Sequence, residues 1–174
     1  EGVTTAFCIN EDERHIYADW LEEYVCEHHA NFVRAPHKDL TKSLPAGFIA
    51  SQVMKAIDRF CQSADQEVSK GHIYSDSIRS LGKEGMEEFK RHLLPFVQRA
   101  WEDIRRTDGV LPFSHDCYVK LWQLGTGDDR PIIPANFILL DEGQDTAPVF
   151  LDVLARQEQS LLVIVGDDNQ QIYE

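Results

Sequence analysis

The chain has 174 residues, 43% of them hydrophobic, with 17 basic and 30 acidic side chains and a formal charge of −13. That apolar content supports one core of useful size and excludes an intrinsically disordered segment, while the charge excludes a protein that simply coats nucleic acid. No apolar run approaches the roughly 18 residues of a membrane-spanning helix, so no membrane partner is expected.

In chain order, VTTAFCI (3–9) has strand character, and residues 11–29 carry Ile16, Trp20 and Tyr24 at helical spacing. RAPHKDLTKSLPAG (34–47) reads as loop. A second amphipathic helix is predicted over 48–64, through Ile49, Val53, Ile57, Phe60 and Cys61. SKGHIYSDS interrupts the pattern. A long third helix follows over about 83–106, with Pro95 inside it to kink or split it. HDCYVKLWQL (115–124) is a fourth helix, apolar at Cys117, Leu121, Trp122 and Leu124, with Leu121 and Trp122 read as core. GTGDDRPIIPAN is a turn-rich connector.

The grammar then changes. NFILLD (136–141) reads as a short strand buried on both faces, and LLVIVGD (161–167) as a second. Between them, residues 146–160 read as a helix with Pro148 in its first turn and Asp145 or Thr146 as its cap. Strand, helix, strand at this spacing is a βαβ unit with parallel strands. The expected class is α/β, a mainly helical stretch followed by a parallel βαβ at the C-terminal end.

Acids concentrate in residues 1–33 and 128–174, so any phosphate-facing surface belongs to the middle third. Cys8, Cys26, Cys61 and Cys117 are far apart and form no CxxC pair, which suits reduced thiols in a cytoplasmic or nuclear protein. Cys26, His28 and His29 make only half of a zinc site.

The chemistry lies at the ends of the two predicted strands. Asp141, Glu142 and Asp145 follow the first, and Asp167 and Asp168 follow the second. Parallel sheets bind ligands at the carboxyl ends of their strands. Two acidic turns on one such edge suit Mg²⁺, the hard cation that accompanies phosphates. An apolar strand ending in Asp-Glu is the Walker B arrangement, in which the Asp holds Mg²⁺ and the Glu polarises the attacking water. For Asp-Glu alone, a carboxylate capping the next helix is the stronger reading.

The longer strings tip that balance. LLDEGQD (139–145) and VGDDNQQIY (165–173) resemble motifs II and III of the UvrD/Rep-like superfamily 1 helicases, which read roughly DE-x-QD and GD-x-x-Q-x-IY. FCQSADQEV (60–68) and SHDCYVKLWQL (114–124) are similar to stretches of the F-box DNA helicase branch and its bacterial UvrD-domain relatives. The resemblance covers about residues 48–174. It implies an ATP-dependent DNA helicase or translocase of 3′-to-5′ polarity, with ATP and Mg²⁺ as cofactors. The partners implied are single-stranded DNA, its junction with duplex, and the remaining helicase domains of the same chain.

In fold, the resemblance implies a partial RecA-like parallel sheet over 128–174 and a helical insertion, the arm, over 48–127, with 1–47 unassigned. Residue by residue, it makes Asp141 the Mg²⁺ ligand and Glu142 the catalytic base. Gln144 and Asp145 link the nucleotide site to neighbouring motifs, Gln170 senses the γ-phosphate, and Tyr173 stacks on DNA bases. Basic residues of the arm, among them Lys55, Arg59, Lys90, Arg91, Arg99 and Arg106, become candidates for phosphate contact, against the plainer reading of a solvated helix face.

The pattern departs from the family in two ways. Gly143 stands where the family usually has Ala, which adds backbone freedom at a catalytic turn. No G-x-x-x-x-G-K-[ST] occurs, so the 174 residues carry no backbone cradle or Lys for a triphosphate. The expectation is a middle portion of a longer helicase, inactive by itself. The alternative is a truncated, non-catalytic helicase-like module acting in protein or nucleic-acid binding.

Overall fold

The computed structural model describes residues 46–74, 82–125 and 133–167. The strand and helix expected within residues 3–29 lie outside the described residues, as do Asp168, Gln170 and Tyr173. The described chain is mixed α/β, with four α-helices and a two-stranded parallel sheet. In order these are α1 (Ala46–Gln62), α2 (Gly82–Ile104), α3 (His115–Leu124), β1 (Phe137–Leu140), α4 (Pro148–Ala155) and β2 (Leu161–Ile164). Among the described residues, no helix is long and apolar enough to cross a membrane. The described residues form two compact units, 46–59 with 68–114 and 60–67 with 115–167.

In the first unit, α1 buries Ile49, Val53, Ala56 and Ile57, the stripe its spacing predicts. The Arg59 guanidinium donates to the carbonyls of His72 (3.1 Å) and Tyr74 (2.7 Å) and faces the Tyr74 ring. The break at SKGHIY is a capped 3-10 turn, Lys70–His72. The Ser69 hydroxyl accepts from Gly71 N–H, and His72 Nδ1 accepts from Ser69 N–H. The long helix α2 buries Phe89, Leu93, Val97, Ala100 and Ile104 and continues through Pro95 as one element. Pro95 and Arg91 are exposed, so water can serve the Arg91 carbonyl that a proline leaves without a donor. Asp103 closes the turn beyond α2 by accepting from the N–H groups of Val110 (3.0 Å) and Leu111 (2.8 Å).

In the second unit, β1 and β2 pair in parallel, Phe137 opposite Leu161 through Leu140 opposite Ile164. Helix α4 crosses between them, as the βαβ reading requires, and packs with α3. The strands are not buried on both faces. Phe137 is 55% exposed and Leu139 61%, with Leu161 and Ile164 similarly open. Among the described residues, two strands and one crossover helix supply only one covering layer, which leaves Phe137, Leu139 and Leu161 open. Helix α4 is also shorter than predicted. Of the residues expected to cap it, Asp145 lies in a 3-10 turn, Gly143–Asp145, and Thr146 ends that turn, while Ala147 takes the cap position without a side-chain bond, ahead of Pro148.

Helix α3 buries Cys117, as expected, but otherwise departs from the expected face. Its buried residues are Cys117, Lys120 and Gln123, whereas Trp122 is 37% exposed and Tyr118 more so. Trp122 meets Phe150 of α4 at 6.1 Å between ring centroids. Leu121 is only partly buried. The polar groups go inside because backbone carbonyls there need donors.

Candidate functional site

The site is built on the carboxyl ends of β1 and β2. After Leu140, the chain turns through Asp141 and Glu142 into the 3-10 turn Gly143–Asp145. Glu142 adopts the left-handed conformation (φ 53°, ψ 44°), the only non-glycine among the described residues with a positive φ. Such a conformation costs about 1–2 kcal/mol for a residue with a Cβ, so the surroundings must impose it. Two backbone bonds tie this turn to β2: Gly143 N–H donates to Val165 O at 2.9 Å, and Val165 N–H donates to Leu140 O at 2.8 Å.

Gln144 joins the two acidic turns. Its Oε1 accepts from Asp167 N–H at 3.1 Å, and its Nε2 donates to Glu142 Oε2 at 2.6 Å. A longer contact, 3.5 Å, runs from Nε2 to Asp145 Oδ2. Gly166 makes room for this crossing, since a Cβ there would overlap Gln144 Oε1. Asp141 Oδ1 accepts from Glu142 N–H at 3.0 Å, and both acids are exposed.

This donor set fits Mg²⁺. Asp141 offers an exposed, hard carboxylate at a strand end, and a Mg²⁺ ion bound beside phosphates takes one or two carboxylates and fills its other positions with water and phosphate oxygen. Among the described residues no cage of three or more His, Cys, Asp or Glu converges. Any ion held by Asp141 would therefore take further ligands from water and a bound phosphate. Of the residues singled out in the sequence, the structure brings Asp141, Glu142, Gln144, Asp145 and Asp167 together. Gln170 and Tyr173 fall outside the described residues.

A second polar cluster escaped the sequence reading. Lys120, 0% exposed, donates through Nζ to Ser63 O (3.0 Å) and Asp65 O, and its ammonium lies 4.2 Å from the centre of the Phe60 ring. Gln123 Nε2 donates to Ala64 O (3.0 Å) and to Asp152 Oδ2 of α4 (2.6 Å). Arg156 pairs with Asp152 and also donates to Gln123 O (3.2 Å). Cys61 and Cys117, both buried thiols, meet at 3.9 Å, and Gln62 donates to Asp116.

The strings 60–68 and 114–124 thus form one contact. Carbonyls just past the end of α1 find their donors on α3. Burial lowers the Lys120 pKa to about 8, opposed by the negative charges of Asp65 and Asp152. The one local signal was Asp152 four residues before Arg156.

Several of the basic residues proposed for phosphate contact are engaged. Lys90 pairs with Glu87, Arg91 with Glu88, Arg99 with Glu102 and Arg106 with Asp108. Arg59 serves the backbone carbonyls already described. Exposed pairs of this kind hold their partners weakly and leave the cations accessible.

Residues 134–174 match the family described as the UvrD/REP helicase N-terminal domain. The chain is also 34% identical over 145 residues to F-box DNA helicase protein 1 of Schizosaccharomyces pombe (strain 972). That alignment takes in 82% of this chain and 16% of the yeast protein, so the chain spans under a fifth of that relative's length. No solved structure matches the chain.

Proposed function

From the premise that this chain belongs to the UvrD/REP helicase family, we propose that it supplies the Walker B half of an ATP-driven DNA translocation site. In this reading the βαβ is part of a RecA-like sheet, and the helices before it form an arm beside duplex DNA. The protein is intracellular and moves 3′-to-5′ on single strands. The observation that carries the reading is the juncture of the two acidic turns at adjacent parallel strand ends, bridged by Gln144.

Asp141 would hold Mg²⁺ directly or through water. When bound, the ion neutralises charge on the β- and γ-phosphates. Glu142 accepts the proton of the attacking water, and the Gln144 amide fixes its carboxylate by a charge-assisted bond. Asp145 backs the same turn, with its N–H on Glu142 O. Gln170 is proposed to contact the γ-phosphate, and Tyr173 to stack on bases. The triphosphate cradle must come from outside these 174 residues, which contain no P-loop string.

The test is Glu142→Gln in a protein containing this segment together with a P-loop. It keeps size and hydrogen bonding but removes the base. DNA-stimulated ATP turnover is expected to fall by roughly 10²–10⁴ while nucleotide binding persists. Turnover close to that of the unaltered protein would remove Glu142 from the role and take the reading with it.

A further inference from the structure

We propose that Gly166 is a positioning residue for Glu142 that acts through Gln144: its lack of a side chain leaves the passage by which the Gln144 amide reaches both acidic turns. The inference rests on the reading of Glu142 as the base.

Gly166 is the glycine of the GD-x-x-Q-x-IY string and Gln144 the glutamine of DE-x-QD, so the two strings meet at this point. Glycine often answers a need for positive φ, but Gly166 is not among the described glycines with that conformation. An alanine could adopt its backbone, and what it would lack is space. A Cβ at 166 would overlap Gln144 Oε1 and stand 3.2 Å from Gly143 N and 3.3 Å from Gln144 N.

Which neighbour yields follows from what holds each. Gly143 N–H is committed to Val165 O at 2.9 Å, and Val165 N–H to Leu140 O at 2.8 Å, so the backbone of the turn is tied to β2. The two backbone contacts call for only a small shift. The Gln144 side chain has three rotatable torsions and is only partly buried, so it gives way first.

Its amide is one rigid plane. Oε1 accepts from Asp167 N–H at 3.1 Å while Nε2 donates to Glu142 Oε2 at 2.6 Å. A displacement that carries Oε1 off Asp167 therefore carries Nε2 off Glu142. Turning the amide over restores neither bond. It would set an NH₂ group against the Asp167 N–H and an oxygen against the Glu142 carboxylate. The exposed Glu142 then loses the charge-assisted bond that orients its carboxylate.

The experiment compares Gly166→Ala, Gln144→Ala and the two combined. Protection of the Asp167 amide against hydrogen exchange in the 174-residue chain is the first readout. The kcat and nucleotide KM of a P-loop-containing protein carrying the same changes are the second. Each single variant is expected to lower the Asp167 protection by about tenfold. Each should lower kcat by about tenfold with KM little changed, as for an interaction felt in the transition state. The combined variant should match Gln144→Ala alone in both readouts, because the Cβ at 166 then has no amide left to displace.

Full Asp167 protection in Gly166→Ala would overturn the proposal. So would a kcat loss that multiplies in full on that of Gln144→Ala, since the backbone contacts would then be what requires glycine. Unfolding of Gly166→Ala that Gln144→Ala reverses supports the proposal, and unfolding that persists in the combined variant overturns it. Lost protection with kcat intact, where Glu142→Gln does reduce turnover, would also overturn it. If Glu142→Gln proves harmless, a loss of protection shared by the three variants still supports the placing of Gln144 by Gly166, and only the assignment of Glu142 as base fails.

Discussion

Gln144 and Asp167 are joined across the two strand ends, the Gln144 Oε1 accepting from the Asp167 N–H at 3.1 Å while the other end of the same amide donates to Glu142. A neutral side chain that both donates and accepts is required to span a backbone donor and a carboxylate acceptor. Gln144→Glu keeps the acceptor and sets a second negative charge against Glu142. In a P-loop-containing protein it is expected to lower ATP turnover by about tenfold or more, the worth of one hydrogen bond to a charged group. Nucleotide affinity should change much less. Steady-state kinetics would check it, and full turnover in Gln144→Glu would mean that the bridge does not serve Glu142.

Lys120 offers a pH test on the chain itself. Burial lowers its pKa to about 8 in the fold, against 10.5 as the ordinary value. The unfolded chain therefore binds more protons between those two pH values, and the Lys120 contribution to stability rises as pH climbs through that window. Below it, both states are protonated and the desolvation cost is fully present. Lys120→Met retains an apolar stem but removes the donor to the carbonyls of Ser63 and Asp65, a loss of about 1–3 kcal/mol. Denaturant melts of both proteins from pH 7 to pH 10.5 would show the gap widening with pH. Parallel curves would mean that Lys120 titrates normally.

Tyr173→Ala addresses the DNA-stacking proposal. One base–aromatic stack is worth about 1–3 kcal/mol. Single-strand affinity of a protein containing this segment should weaken by that amount, with ATPase at saturating DNA falling less than unwinding. Fluorescence anisotropy on a labelled oligonucleotide would measure the affinity. Unchanged affinity together with unchanged unwinding would return Tyr173 to a packing role.

The 174 residues by themselves should release no phosphate from ATP, with or without single-stranded DNA, since they contain no G-x-x-x-x-G-K-[ST] string. A coupled phosphate assay on the purified chain decides it. DNA-stimulated release would mean that this segment holds a complete site of another design.

The helices and the parallel βαβ were legible in the sequence because their signals are local. Ile49, Val53 and Ile57 recur with the helical period, and FILL and LLVI are strand-length apolar runs flanked by turns. The strings around Asp141 and Asp167 stand out in the sequence for a related reason, since few residue types can hold a metal or polarise water, and the roles proposed for them rest on that. Local pattern failed at α3. Periodicity assigns the apolar side chains to the core, yet Trp122 is left partly open while Lys120 and Gln123 are buried. Their place is set by the carbonyls of Ser63, Ala64 and Asp65, more than fifty residues earlier, and no window along the chain contains both sides of that contact. The left-handed Glu142 and the tight fit of Gly143 against Ile164 are likewise products of strand register, which brings together atoms that sequence holds more than twenty residues apart. The sequence determined which groups could do chemistry. Tertiary structure decided which way they face, because the orphaned donors and acceptors that orient them are supplied by distant segments.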